Sequence, residues 1–201
     1  IQGGIYGPAI EDALRDTPFT MRHYMQAYRC STLGGWIATR SGGHYATLYT
    51  HIDDFVESTR VVTPVGTLET RRLPGSGAGP SPDRLFLGSE GILGIITKAW
   101  VRLRKKPTFR ASASVRFKDF FTGADAVREI TQAGLYPANC RLLEAREALP
   151  GIPWSNEEAV LVLAFESADH PLDAWMARAL EICRDHGGVA DASGGDDENA
   201  H

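Results

Sequence analysis

Apolar positions recur along this chain with two different periods, and the switch between them marks out its elements. A period of two runs through IITKAWVRLR (95–104), where Ile95, Thr97, Ala99, Val101 and Leu103 share one side and Lys98, Arg102 and Arg104 the other. That alternation predicts a half-buried strand. SASVRF (112–117) alternates in the same way, with Ala113, Val115 and Phe117 inward. FVESTRVVT (55–63) and TLETRRL (67–73) flank Pro64-Val65-Gly66 and read as strand, turn and strand. NCRLLE (139–144) is a short strand, AVLVLAFES (159–167) a continuous apolar one, and MRHYMQAY after Thr20 reads as a further strand.

Three-and-four spacing predicts the helices. Ile10 and Leu14 share a face of GPAIEDALRD (7–16), where Pro8 sits in the first turn and its missing N–H costs nothing. Val127 and Ile130 belong to a second helix, opened by Thr122-Gly-Ala-Asp125 as a variant capping box and closed by Gly134. A third starts near Asp169, carries Leu172, Trp175, Met176, Ala179, Ile182 and Cys183, and stops at Gly187-Gly188. PGSGAGPSPD (74–83) is loop by composition. The class is α+β.

Lys105, Lys106 and Pro107 end the strand at 95–104 and are the expected domain boundary. Beyond it the order β-α-β-β-α, with a fourth strand beginning near Val189, is that of a split βαβ, ferredoxin-like arrangement with an antiparallel sheet. The expected division is therefore 1–106, 107–190, and a polar tail at 191–201. The chain opens on Ile1 and closes on GGDDENAH, from which either a piece of a longer polypeptide or a chain with disordered parts removed is expected.

Composition narrows the function classes. Apolar residues make up 43% and charged residues 23% of the 201, which is ordinary for a packed protein. A net charge of −4 gives no general field for nucleic acid, so a phosphate-bearing ligand needs local donors. Cys30, Cys140 and Cys183 show no zinc spacing and read as buried small hydrophobes of a reduced, cytoplasmic protein. The acidic tail lacks the twelve-residue EF-hand spacing, no metal is expected, and no run approaches a membrane span.

Two glycine-rich turns remain, STLGG (31–35) with WIATRSGG (36–43) directly after it, and GSEGILG (88–94). Glycine within elements is costly, so these positions call for a reason. GSEGILG runs into a strand, not a helix, and so fails the GxGxxG dinucleotide fingerprint. GSGAGPS (75–81) lacks the Gly-Lys-Ser/Thr of a phosphate-binding P-loop. The remaining reading has several loops acting together: hydroxyls of Ser31, Thr32 and Ser89, the Arg40 cation and bare main-chain amides around a diphosphate, with ILGII covering a flat ring. The plain alternative is that these are only turns.

The stretch STLGGWIATRSGGHYATLYTHIDDFVESTRVVTPVGTLETRRLPGSGAGPSPDRLFLGSEGILGIIT resembles the second half of the FAD-binding (PCMH-type) domain of the vanillyl-alcohol-oxidase type flavoproteins, the FAD-linked oxidases. Within that family it is most similar to the alkyldihydroxyacetonephosphate synthase branch. The Trp of GGWIATR, the HIDD segment, the VTPxG turn and GSEGxLGIIT occur in the family's order. Residues 108–190 resemble the opening of its substrate, or cap, domain. The resemblance implies FAD as cofactor. It implies that Gln26, Cys30, Ser31 and Thr32, with Gly34 and Gly35, line the pyrophosphate and flavin side, and that Thr39, Arg40, Ser41 and Gly42 follow along it. Gly88, Ser89, Glu90, Gly91, Leu93, Gly94 and Ile96 would run near the adenosine half and the diphosphate.

The family's first glycine-rich loop and its catalytic Tyr, Arg and His cluster have no counterpart here, so catalytic residues are not assigned and the isolated chain is expected to bind FAD weakly or not at all and to be inactive. For the whole enzyme the resemblance implies a small, lipid-like substrate: flavin N5 attacks acyl-dihydroxyacetone phosphate and an alkoxide replaces the acid. The alternatives are an oxidase or dehydrogenase of a 2-hydroxy acid, and a non-catalytic remnant or module that pairs with itself as a homodimer. His23, His44 and His51 are candidate bases set against ordinary loop histidines, Arg40 is set against an ion pair with Asp53 or Asp54, and Arg141 is the candidate for facing substrate from the cap.

Overall fold

The computed structural model describes residues 1–72, 79–144 and 158–190. The first half of the loop expected at 74–83, the end of the strand expected at 67–73 and the tail at 191–201 lie outside the described residues. The chain divides into two compact units, Ile1–Lys106 and Pro107–His201.

The first unit runs α1 (Gly7–Ala13), β1 (Phe19–Thr20), α2 (Leu33–Ala38), α3 (Ala46–Tyr49), α4 (Ile52–Phe55), β2 (Val56–Thr63), β3 (Gly66–Glu69), α5 (Asp83–Phe86), β4 (Ile95–Val101) and β5 (Arg104–Lys105). β2 lies between β3 and β4 in an antiparallel sheet. Residues 1–3 run along the outer side of β4: the Ile1 amine donates to Ala99 O at 2.8 Å, Ala99 N–H returns to Ile1 O at 2.9 Å, and Gly3 N–H reaches Thr97 O at 2.8 Å. Met21, Leu33, Trp36, Ile37, Ile52, Phe55 and Ala99 form the core behind it.

Two expectations fail in this unit, for identifiable reasons. The alternation over 95–104 breaks at a bulge: Arg60 pairs with Lys98 but Val61 with Ile96, so Thr97 is the extra residue. Past a bulge the faces exchange. Ile96 therefore packs on the core, Ile95 is left 71% exposed, and Leu103, beyond the end of β4, is also exposed. MRHYMQAY forms no strand. Arg22 takes the left-handed conformation (φ 54°), which breaks an extended run, and the Glu11 carboxylate of α1 accepts the N–H groups of Met21 and Arg22 at 3.0 and 3.3 Å.

The second unit runs β6 (Phe109–Phe117), α6 (Phe120–Gln132), β7 (Asn139–Glu144), β8 (Ala159–Ser167), α7 (Asp173–Asp185) and β9 (Val189–Ala190). The sheet order β7-β8-β6-β9, antiparallel throughout, is ferredoxin-like as expected. Val115, Phe117, Leu161, Leu163 and Phe165 on one sheet face pack with Ala126 and Ile130 of α6 and Ala179, Ile182 and Cys183 of α7. Both helices start elsewhere than expected. Asp119, not Thr122, caps α6, its carboxylate accepting Thr122 N–H at 2.7 Å, and α7 begins at Asp173 after the Asp169–Leu172 segment. All three cysteines are free; Cys183 is buried and Cys140 half-buried, but Cys30 is exposed on a turn, against the expectation that it is a core residue. No helix among the described residues is long and apolar enough to cross a membrane.

Candidate functional site

The first unit brings its two glycine-rich turns together on one short helix. Thr32 opens α2, its Oγ1 accepting Gly35 N–H at 3.4 Å. At the other end, Gly88 N–H donates to Ile37 O and Glu90 N–H to Ala38 O, both at 3.0 Å. The GSEGILG turn thus gives Ala38 O its donor and adds a second to Ile37 O, which Arg40 N–H also reaches at 3.3 Å. STLGG and GSEGILG are the two ends of one hydrogen-bonded construction.

Each turn has some amides engaged within the chain and others left over. In the first, Leu33 N–H is taken by Ile5 O at 3.0 Å and Gly34 N–H by Gly3 O at 2.7 Å. Gly34 is glycine for a reason inside the chain: a Cβ there would lie 3.0 Å from Gly3 O and 3.2 Å from Ile96 O, because three backbones cross at that point. Gly94 is similar, with a Cβ position 2.5 Å from Val62 O. Gly91 is different, for its φ is +82° and its α-carbon faces open space. Among the described residues, the amides of Gly91, Leu93 and Gly94 have no acceptor in the chain, and the Ser89 hydroxyl is buried without a partner. These groups are available to an anionic ligand, and in the first turn the Ser31 and Thr32 amides likewise have no acceptor among the described residues.

Side chains around α2 are tightly held. Trp36 Nε1–H donates to Ser31 Oγ at 2.7 Å, and that hydroxyl donates on to Ala27 O at 2.7 Å. Tyr28 stacks on Trp36 at 6.0 Å and donates from its hydroxyl to Gly7 O, while burial raises its pKa. Arg40 is left-handed (φ 53°), and its Nε lies 2.9 Å from Asp53 Oδ2, which Arg84 Nη1 also approaches at 3.3 Å. The ion pair weighed for Arg40 in the sequence is therefore present, and the half-exposed Arg40 side chain lies against Gly88 of the second turn. Glu90 is exposed and left-handed.

Of the other sequence candidates, Thr39 follows α2 as its C-cap and Ser41 N–H reaches Trp36 O at 2.9 Å. Gly42 is exposed, paired with His51 through an isolated bridge. Gln26 and Cys30 are exposed on the 26–30 turn, and Ile96 faces the core. His44 and His51 are exposed, whereas His23 is buried against Trp36 and Phe55. Arg141, on β7 opposite Val162, is exposed and belongs to the second unit. Glu11, which holds the backbone of Met21 and Arg22, was not singled out; its partners lie nine to eleven residues away, and no local pattern announces them.

Residues 1–71 match the family described as FAD binding domain, and residues 106–201 match FAD linked oxidases, C-terminal domain. The chain belongs to the FAD-linked oxidase family of flavoproteins, and FAD is the cofactor these matches indicate. Alkyldihydroxyacetonephosphate synthase of Dictyostelium discoideum is 36% identical over 168 residues, 84% of this chain and 27% of that protein. Glycolate oxidase subunit GlcD of Bacillus subtilis is 30% identical over 165 residues, 78% of this chain and 35% of that one. A solved structure of alkyldihydroxyacetonephosphate synthase superposes with a TM-score of 0.82 at 28% identity, covering 94% of this chain and 38% of its own. The chain thus spans between 20% and 41% of the length of the curated relatives it matches.

Proposed function

We propose that this chain is part of an FAD enzyme of the alkyldihydroxyacetonephosphate synthase kind, in which an alkoxide replaces the acyl group of an acylated dihydroxyacetone phosphate. The observation that carries the cofactor half of the reading is the junction of the two glycine-rich turns on α2. Bound FAD supplies an electrophilic ring system that can take up a substrate carbon or a hydride. The chain's own part is to bind and orient it. Amides of Gly91, Leu93 and Gly94 and the Ser89 hydroxyl offset phosphate charge, as oriented dipoles can without a lysine. Arg40, fixed by Asp53, adds a cation to the same region. Ser31, Thr32, Thr39, Ser41 and Gly42 shape the opposite wall, and the exposed Ile92 and Leu93 cover the apolar part of the ligand.

A second reading, oxidation of a 2-hydroxy acid, is supported by the similarity to glycolate oxidase subunit GlcD. One experiment separates the two. The gene product that carries this chain is incubated with FAD, a palmitoylated dihydroxyacetone phosphate, a long-chain alcohol and a dye acceptor, and in parallel with glycolate or D-lactate and the dye. Ether-lipid product without dye bleaching is the expected result, because alkyl-for-acyl exchange involves no net redox change. Dye bleaching by the hydroxy acid, with no ether product, would establish the second reading, and a protein that retains no FAD and does neither would sink both and leave a non-catalytic module.

A further inference from the structure

A buried imidazole stands behind the SGG segment with no part in the arrangement described so far. His23 is 2% exposed and lies edge-on to Trp36 at 5.5 Å and tilted against Phe55 at 5.3 Å. Its Nε2 shares a hydrogen bond with Ser41 Oγ at 3.0 Å. The same segment is docked along the 23–24 backbone, with His44 N–H donating to Tyr24 O at 2.6 Å. A Cβ on Gly43 would lie 2.8 Å from Tyr24 O and 3.3 Å from His23 Nδ1.

The placement of His23 is built at a cost. The residue before it, Arg22, is buried and left-handed, a conformation that disfavours any side chain. Glu11 is committed to holding that bend through Met21 N–H, Arg22 N–H and the Thr20 hydroxyl. Packing alone does not call for this, since a phenylalanine would fill the space between Trp36 and Phe55 without a polar atom to desolvate. What the imidazole adds is its bond to Ser41. Such local strain, held in place by the surrounding structure, is characteristic of sites where backbone position matters.

We propose that His23 is a positioning residue that, through the Ser41 hydroxyl, fixes the Ser41-Gly42-Gly43 backbone in the conformation that receives the cofactor. The proposal rests on the reading of that segment as part of the FAD site. It is tested on the 201-residue chain with H23F, which keeps a ring and loses Nε2, with S41A, with the double variant, and with H23Q, whose amide nitrogen reaches toward the Nε2 position. Amide resonances of residues 41–43 report the loop directly, without cofactor, and FAD titration followed by flavin fluorescence reports its consequence.

H23F and S41A are expected to shift the same loop amides and weaken FAD binding about 3- to 10-fold, the range for loss of one hydrogen bond. The double variant is expected to be no weaker than either single one, and H23Q to restore most of the loss. Unmoved loop amides in a folded H23F, or FAD losses that add in the double variant, would overturn the proposal. Should H23F fail to fold, S41A, which leaves the core packing alone, decides by the same amides. A parent chain that takes up no FAD while its variants still move the loop would defeat the cofactor reading and leave the positioning role standing.

Discussion

The two units solve the problem of holding a chain in place by different means. Pro107–His201 is a sheet with two helices on one face, and its stability rests on apolar contact between Val115, Phe117, Leu161, Leu163, Ile130 and Ile182. Ile1–Lys106 has short elements joined by irregular backbone, held where three main chains cross at Gly3, Gly34 and Ile96 and where carboxylates such as Glu11 and Asp53 take distant donors. Of the five described non-glycine residues with positive φ, Arg22, Arg40, Thr50 and Glu90 lie in the first unit, and three of these flank the candidate site. The difference teaches that regular packing makes a frame, whereas a ligand-receiving surface requires backbone in places regular elements do not reach, at a cost in strain.

That contrast predicts where substitutions hurt most. Phe117→Ala, at a side chain 2% exposed between β6 and both helices, should cost about 3–5 kcal/mol by urea denaturation. A loss below about 1 kcal/mol would mean that the second unit is not held by its apolar core.

In the first unit the largest effect should instead depend on pH. Burial, more than the nearby His51, lowers the pKa of His23 from 6.5 to about 4. The unfolded chain takes up that proton near pH 6.5 while the folded chain refuses it. Stability from the neutral ring is therefore complete above pH 6.5 and lost as pH falls toward 4, by about 3 kcal/mol in all. Urea midpoints of the parent and H23Q, compared across this window, should converge as the pH is lowered; parallel curves would show that the ring is not held neutral.

How much of this was legible in the sequence also follows the contrast. In the second unit, alternation in SASVRF, the continuous apolar run AVLVLAFES and helical spacing from Leu172 to Cys183 were enough to give the element order and the ferredoxin-like sheet, since each signal is local. In the first, the glycine-rich turns stood out but the purpose of most of their glycines did not. Gly34 and Gly94 serve crossings with segments about thirty residues away, which composition cannot reveal, and only Gly91 has the open α-carbon imagined for all of them. The bulge at Thr97 and the Glu11-held bend at Arg22 escaped for the same reason: a partner strand or helix, not the local pattern, decides them. The Arg40–Asp53 pair was visible because thirteen residues and the charges alone suggest it.

Gly34→Ala sharpens the point about crossings. The added methyl would press on two carbonyl oxygens of the main chain, neither of which can swing aside as a side chain would, and a cost of about 1–3 kcal/mol is expected. Gly4→Ala, thirty residues earlier, meets nothing within 4 Å and should leave the urea midpoint nearly unchanged. Equal effects at the two positions would show that conformational freedom, not close approach, explains the glycine at 34.

The smallest effect tests whether the second unit is as purely apolar as the contrast has it. Asp119 precedes α6 in extended conformation, and its carboxylate accepts the Thr122 N–H and hydroxyl at 2.7 and 2.8 Å, bonds that hold its pKa below the usual carboxylate value. Asp119→Ala leaves a first-turn amide of α6 without its partner and should lower the melting temperature by a few degrees, while Thr122→Ala, which keeps the backbone bond, should do less. Because the folded pKa is depressed, the advantage of the parent over Asp119→Ala is present above the unfolded value near 3.8 and fades as pH falls below it. A Thr122→Ala loss larger than that of Asp119→Ala would return the start of the helix to the capping box read from the sequence, and would mean that side-chain hydrogen bonding orders this unit more than its core suggests.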